Sequence, residues 1–157
     1  MTMLRVYVYA VGRKVVIPRM AANEEGIFME VAPVSVFDVI AVETWKSHIY
    51  DCLSRDVDTL DSADNPDGPG SAVLDKLQLE RWADFEKNAV MYIVHRGSRY
   101  ITVYATGKSD DGMWTTGSKE RRFDSRAPLE IVVEEIAFEL MREPEAMEPQ
   151  PKLLMSY

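Results

Sequence analysis

Apolar and polar positions alternate at the start of the chain, with Leu4, Val6, Val8 and Ala10 on one side and Arg5, Tyr7, Tyr9 and Val11 on the other. Gly12-Arg13 then precedes Val15-Val16-Ile17, which Pro18 closes. Two period-two runs split by a glycine-led turn predict a β-hairpin. Ile27 to Val31 predicts a third strand. The period changes near Ser35, where Ser35 and Asp38 form a capping-box-like start and Val39, Val42, Trp45, Ile49, Cys52 and Leu53 recur at steps of three and four. That spacing predicts a helix from about Ser35 to Leu53.

Val73, Leu74, Leu77, Trp82 and Phe85 predict a second helix, and Ala89–His95 with Arg99–Ala105 a second hairpin around Gly97-Ser98. Met91, Ile93, Ile101, Val103 and Ala105 are expected to form its apolar side, with the hairpin central in the sheet. Trp114 to Phe123 predicts a further strand. A last helix is expected from near Ser125, with Pro128 in its first turn, Glu130, Glu134 and Glu135 toward its positive end and Arg142 in its last turn. The expected fold class is α+β: a mainly antiparallel sheet of two hairpins plus one or two extra strands, covered by about three helices.

Between the helical patterns the chain reads DVDTLDSADNPDGPG over residues 56–70, with five aspartates, two prolines and two glycines. So little apolar surface cannot offset the entropy of ordering, which predicts a mobile acidic loop. Residues 1–143 read as one domain and 144–157, proline-rich and without periodicity, as a flexible tail. At 157 residues, 46% of them hydrophobic, the chain has the material for a core of its own. Nine scattered methionines read as gap-fillers within it.

Charge is distributed unevenly along the chain. The net charge is −8, yet residues 23–95 hold 15 acids against 5 bases while residues 1–20 hold four bases and no acid. Concentrated negative charge steers cationic partners and repels polyanions. A lone Cys52 cannot form an internal disulfide, and no long apolar run suggests a leader or a membrane span, so a cytoplasmic location is expected.

Candidate chemistry is sparse. His48 and Cys52 sit four apart, a spacing that suits a metal or a thiol–imidazole pair, but nothing completes either set. His95 lies near Ser98 without a readable oxyanion site. Asp56, Asp58, Asp61, Asp64 and Asp67 suggest a calcium loop, yet Asp61 stands where glycine is required and Asp67 where a bidentate glutamate is required. Arg96, Arg99, Lys119, Arg121, Arg122 and Arg126, interleaved with Tyr100, Tyr104, Trp114 and Phe123, could serve a nucleic acid. The net charge favours pairing of these cations with the protein's own acids instead.

The carboxyl-terminal half is an ordered set: Trp82 and Phe85, AVMYIVHRGSRYITVYA, Gly112-Met113-Trp114, Arg122-Phe123, then Ala127-Pro128-Leu129 leading into IVVEEIAFELM. Over roughly residues 74–142 it resembles the immunity proteins of bacterial contact-dependent growth inhibition systems. The resemblance implies a non-enzymatic inhibitor, without cofactor, that binds a cognate and basic toxin domain and occludes its active site. The partner is then a protein, neither nucleic acid nor membrane, and the free chain a monomer or weak dimer. No interface residue follows from the resemblance. Charge and expected exposure select Asp56, Asp58, Asp61, Asp64 and Asp67, with Glu80 and Asp84 on the following helix. Two alternatives stand beside it: a small hydrolase or nucleotide-modifying enzyme using His48 or His95, and a mobile-element adaptor that binds through its proline-rich tail.

Overall fold

The computed structural model describes residues 1–61, 64 and 70–142, with only the backbone of 116–118. Asp67 and the 144–157 tail lie outside the described residues. The hairpin pattern at the start gives β1 (Thr2–Tyr9) and β2 (Lys14–Ala22), joined through Gly12 and Arg13, both at positive φ. Then follow β3 (Phe28–Asp38), α1 (Val42–Leu53), β4 (Asp58–Thr59), α2 (Ser71–Leu77), α3 (Trp82–Glu86), β5 (Ala89–Arg96), β6 (Tyr100–Lys108), β7 (Trp114–Asp124) and α4 (Leu129–Met141). The fold is α+β: six strands form an antiparallel sheet in the order β3-β2-β1-β5-β6-β7, and the short β4 joins β2 in parallel.

The sheet carries a core on each face. On one face Leu4, Val6, Val8, Val90, Tyr92, Val94, Ile101 and Val103 pack beneath Trp45, Ile49 and Leu53 of α1 and Val132, Val133, Ile136 and Leu140 of α4. Each such side chain contributes about 1.5–3 kcal/mol when fully buried, and Trp45 also donates its indole N–H to Val39 O at 3.0 Å. On the other face Tyr7, Tyr9, Val16, Val34 and Ala89 meet Val73 of α2 and Phe85 of α3. Tyr7, Phe85, Trp82 and Trp114 form an aromatic cluster there, with Tyr7 to Phe85 centroids 5.0 Å apart at 74°. Edge-on ring pairs of this kind add to the area they bury.

Four expectations are corrected. Ser35 does not start a helix: it lies in β3 paired with Ile17, because the β-branched run Val31, Val34 and Val36 pairs with β2, and α1 begins at Val42 without a side-chain cap. The second helix is two, since Gln78 in a left-handed conformation (φ 58°) ends α2 before α3 begins at Trp82. Near Ser125 the chain is still in a turn; α4 starts at Leu129, with Pro128 outside it and Arg142 just beyond its end. The two sides of the second hairpin were also merged. Val94 pairs with Val103 and Tyr92 with Ala105 on the α1/α4 face, whereas Ile93 pairs with Tyr104 on the opposite face, as the strand period of two requires.

β3 and β7 are the outer strands. Pro33, which lacks an N–H, lies in β3 where its register with β2 shifts, and Lys119, Arg121 and Arg122 belong to β7. Both devices discourage unplanned strand pairing.

Candidate partner-binding site

α1 and α2 cover opposite faces of the sheet, so the acidic segment between them must pass around it. Its described part lies at the end of β2 beyond the β1 pairing, which covers only Tyr7–Tyr9 with Lys14–Val16. There Ala21 and Ala22 pair with Asp58 and Thr59, and Leu60 N–H donates to Ala22 O at 2.8 Å. The adjoining turn from β2 to β3 is ordered by Asn23, whose Oδ1 accepts the N–H groups of Glu25 and Ile27 at 2.9 Å each. Gly26, at φ +81°, closes it.

This construction gathers Glu24, Glu25, Asp58, Asp61 and Asp64 at one pole of the sheet beside the exposed Ile27. Arg19 is bonded among them. Arg19 donates to Asp58 Oδ2 at 2.8 Å and to Asp64 Oδ1, and its Nε donates to Ala32 O at 2.9 Å. The backbone N–H of Asp61 and the guanidinium of Arg19 hold the Asp64 carboxyl below its usual range, so it stays ionised. Among the described residues, Glu24, Glu25, Asp58 and Asp64 beside Arg19 leave the pole negative.

The other expected residues part company. Asp56 accepts from the amino terminus at 3.1 Å and Arg96 at 3.5 Å, near the start of β1, and stays 73% exposed. Asp84 pairs with Arg81 at 3.0 Å and Lys87 at 3.7 Å, and its charge acts on Tyr9. Tyr9 pairs with Lys14, and the seven residues from there to Ala21 span about 23 Å at 3.3 Å per residue, which sets Asp84 apart from the pole. Glu80 is exposed in the link between α2 and α3, not on a helix. Glu24 and Glu25 were missed because their relation to Asp58 depends on a parallel pairing across the length of α1.

Beneath the second face lies a buried polar cluster that periodicity does not disclose. Glu30, with its side chain 3% exposed, accepts from Arg5 Nη1 at 3.0 Å and from the Tyr7 hydroxyl. Burial, and then the charge of Glu30, pushes the Tyr7 hydroxyl far above its ordinary value. Among the described residues, Glu30 Oε1 and Arg5 Nε have no hydrogen-bond partner.

His48 and Cys52 share a face of α1 but are not bonded to each other. Burial holds the His48 imidazole, which packs 5.4 Å from the Phe37 ring, below its ordinary value, and burial pushes the Cys52 thiol up. A thiol kept protonated is a poor nucleophile. Native Cys52 is therefore expected to react with a disulfide reagent at neutral pH roughly 10-fold or more slowly than the urea-unfolded chain; equal rates would contradict the burial. Among the described residues no group of three His, Cys, Asp or Glu is placed to hold a metal ion. Of the six cations considered for nucleic acid, Arg96, Arg121, Arg122 and Arg126 pair with Asp56, Glu135, Glu120 and Asp124. No helix among the described residues is long and apolar enough to cross a membrane.

No family model matches the chain, and no curated protein matches it. A solved structure described as a protein of unknown function from Neisseria meningitidis is similar in fold, with a TM-score of 0.59 at 10% identity over 93% of each chain. That likeness establishes the architecture and carries no activity with it.

Proposed function

We propose that this chain is a cytoplasmic immunity protein that binds a cognate, basic, nuclease-like toxin domain and covers its active site. The observation that carries the reading is the pole: Asp58 and Asp64 bond Arg19, Glu24 and Glu25 stand on the turn that Asn23 orders, and Asp61 and the 54% exposed Ile27 adjoin them. A surface that binds nucleic acid is cationic, so ordered carboxylates can stand in for its phosphates and accelerate encounter. Order also matters because groups already held in place lose little entropy on docking.

The test uses the carboxyl-terminal domain of a large secreted protein encoded directly upstream of this chain. The two are expected to form a one-to-one complex in which the domain loses its toxicity to cells. Replacing Glu24→Gln, Glu25→Gln and Asp61→Asn together is expected to slow association about 10-fold at low salt. Absence of such a domain, absence of a complex, or a complex with an acidic domain would overturn the reading.

A further inference from the structure

α4 packs against α1 and over β5 and β6, and a cleft of about 420 Å³ remains between α4 and the outer strand β7. Its floor is apolar: Tyr92 of β5, Val103 and Ala105 of β6, Phe123 of β7 and Ile136 of α4. Register puts these side chains together, since Tyr92 pairs with Ala105, Ala105 with Lys119 and Val103 with Arg121, all on the face that α4 covers. The methyl group of Ala105, flanked by Tyr92 and Lys119, leaves room that a larger side chain would fill.

The rim is charged, and its pairing is uneven. Arg121 Nη1 donates to Glu135 Oε2 at 2.5 Å, joining the β7 wall to the α4 wall. Glu120 accepts from Arg122 at 3.1 Å, and Glu139 from Arg142 at 3.5 Å. Each carboxylate that lines the cleft is thus matched by one guanidinium, whereas Lys119, exposed at the same rim, has no ion pair among the described residues. The rim therefore carries one cation more than its acids neutralise. An apolar cavity within the range of about 300–1,000 Å³, with a single charge at its mouth, has the character of a small-molecule site. We propose that the cleft binds a small organic anion, a carboxylate on an aromatic body, with the body against Val103, Ala105 and Phe123 and the carboxylate on Lys119. Arg121 lies beside that carboxylate and offers it the planar fork that Glu135 now accepts. This site does not rest on the immunity reading, and its failure leaves that reading standing.

The experiment titrates the full chain with phenylpropionate and follows its amide and methyl chemical shifts, with phenylpropanol and phenylpropylamine as probes of the same body and different charge. Phenylpropionate is expected to bind one-to-one with a Kd of about 1 mM or tighter, with the shifts centred on Ala105, Phe123 and Ile136. The alcohol and the amine are each expected to bind about 10-fold more weakly. Lys119→Gln, at an exposed position, is expected to lower the affinity for phenylpropionate about 10-fold, to that of the alcohol, while the alcohol binds as before. Ala105→Leu is expected to abolish binding of all three by filling the floor, and Lys119→Gln carries the test should that variant fail to fold. No saturable binding of phenylpropionate, shifts centred elsewhere on the molecule, the amine binding as tightly as the carboxylate, or a Lys119→Gln chain that binds phenylpropionate as before would each overturn the proposal.

Discussion

Glu30→Ala is expected to destabilise the fold by about 3 kcal/mol, because removing one member of a buried ion pair strands the other. The Glu30 side chain is 3% exposed and receives both the Arg5 guanidinium and the Tyr7 hydroxyl. Arg5 is partly open to water at 31%, which places the loss at the lower end of the range for such deletions. Combining Arg5→Met, Tyr7→Phe and Glu30→Leu removes every polar group of the cluster and is expected to recover most of that loss. Urea unfolding of the three proteins, followed by fluorescence, checks both halves. A single variant as stable as the parent would show that Glu30 is not held as described.

Gly70→Ala is the second large effect. Gly70 has φ +78°, and a Cβ there would lie 2.4 Å from Trp82 Cζ3 and 2.5 Å from Cε3, closer than carbon atoms tolerate. Trp82 cannot yield easily, since its ring packs 5.1 Å from Phe85 and 5.7 Å from Trp114. Left-handed strain and an overpacked contact together suggest a loss of about 2–4 kcal/mol, with the tryptophan emission shifted as Trp82 is displaced. Gly26→Ala supplies the comparison. Its φ is also positive, but nothing lies within 4 Å of the added carbon, so it is expected to lose only about 1 kcal/mol. Equal losses in the two variants would refute the ring contact.

The strands were legible wherever alternation was uninterrupted. Leu4 to Ile17 and Ala89 to Ala105 supply their own turns and their own buried rows, so local pattern and tertiary pairing agree. Ser35 was misread because a capping serine and a strand serine look alike locally; pairing with Ile17 decided the matter from a distance. Gln78 gave no warning that a helix would break there, since glutamine seldom adopts the left-handed conformation it takes at φ 58°. The second hairpin reads as one apolar side because both of its faces carry apolar residues: Met91 packs with the cluster under α2 and α3, while Val94 and Val103 belong to the core under α1 and α4.

The site was legible as a charge excess and not as a place. Asp58, Asp61 and Asp64 follow from composition alone. That Glu24 and Glu25 join them depends on two parallel residue pairs between β2 and β4, too short a contact to leave a periodic trace. Asp84 carries the same charge in the sequence, but α3 takes it to the other end of the molecule, where Arg81 and Lys87 neutralise it.

The central claim is that the pole formed by Glu24, Glu25, Asp58, Asp61 and Asp64 receives a cationic protein. Its most direct test is the rate of association with the proposed toxin domain, followed by stopped-flow from low to physiological ionic strength. The account predicts a steep fall with added salt, made shallow by Glu24→Gln, Glu25→Gln and Asp61→Asn together, with dissociation little changed. A rate indifferent to salt, or a slope that the three substitutions leave as steep as before, would contradict it.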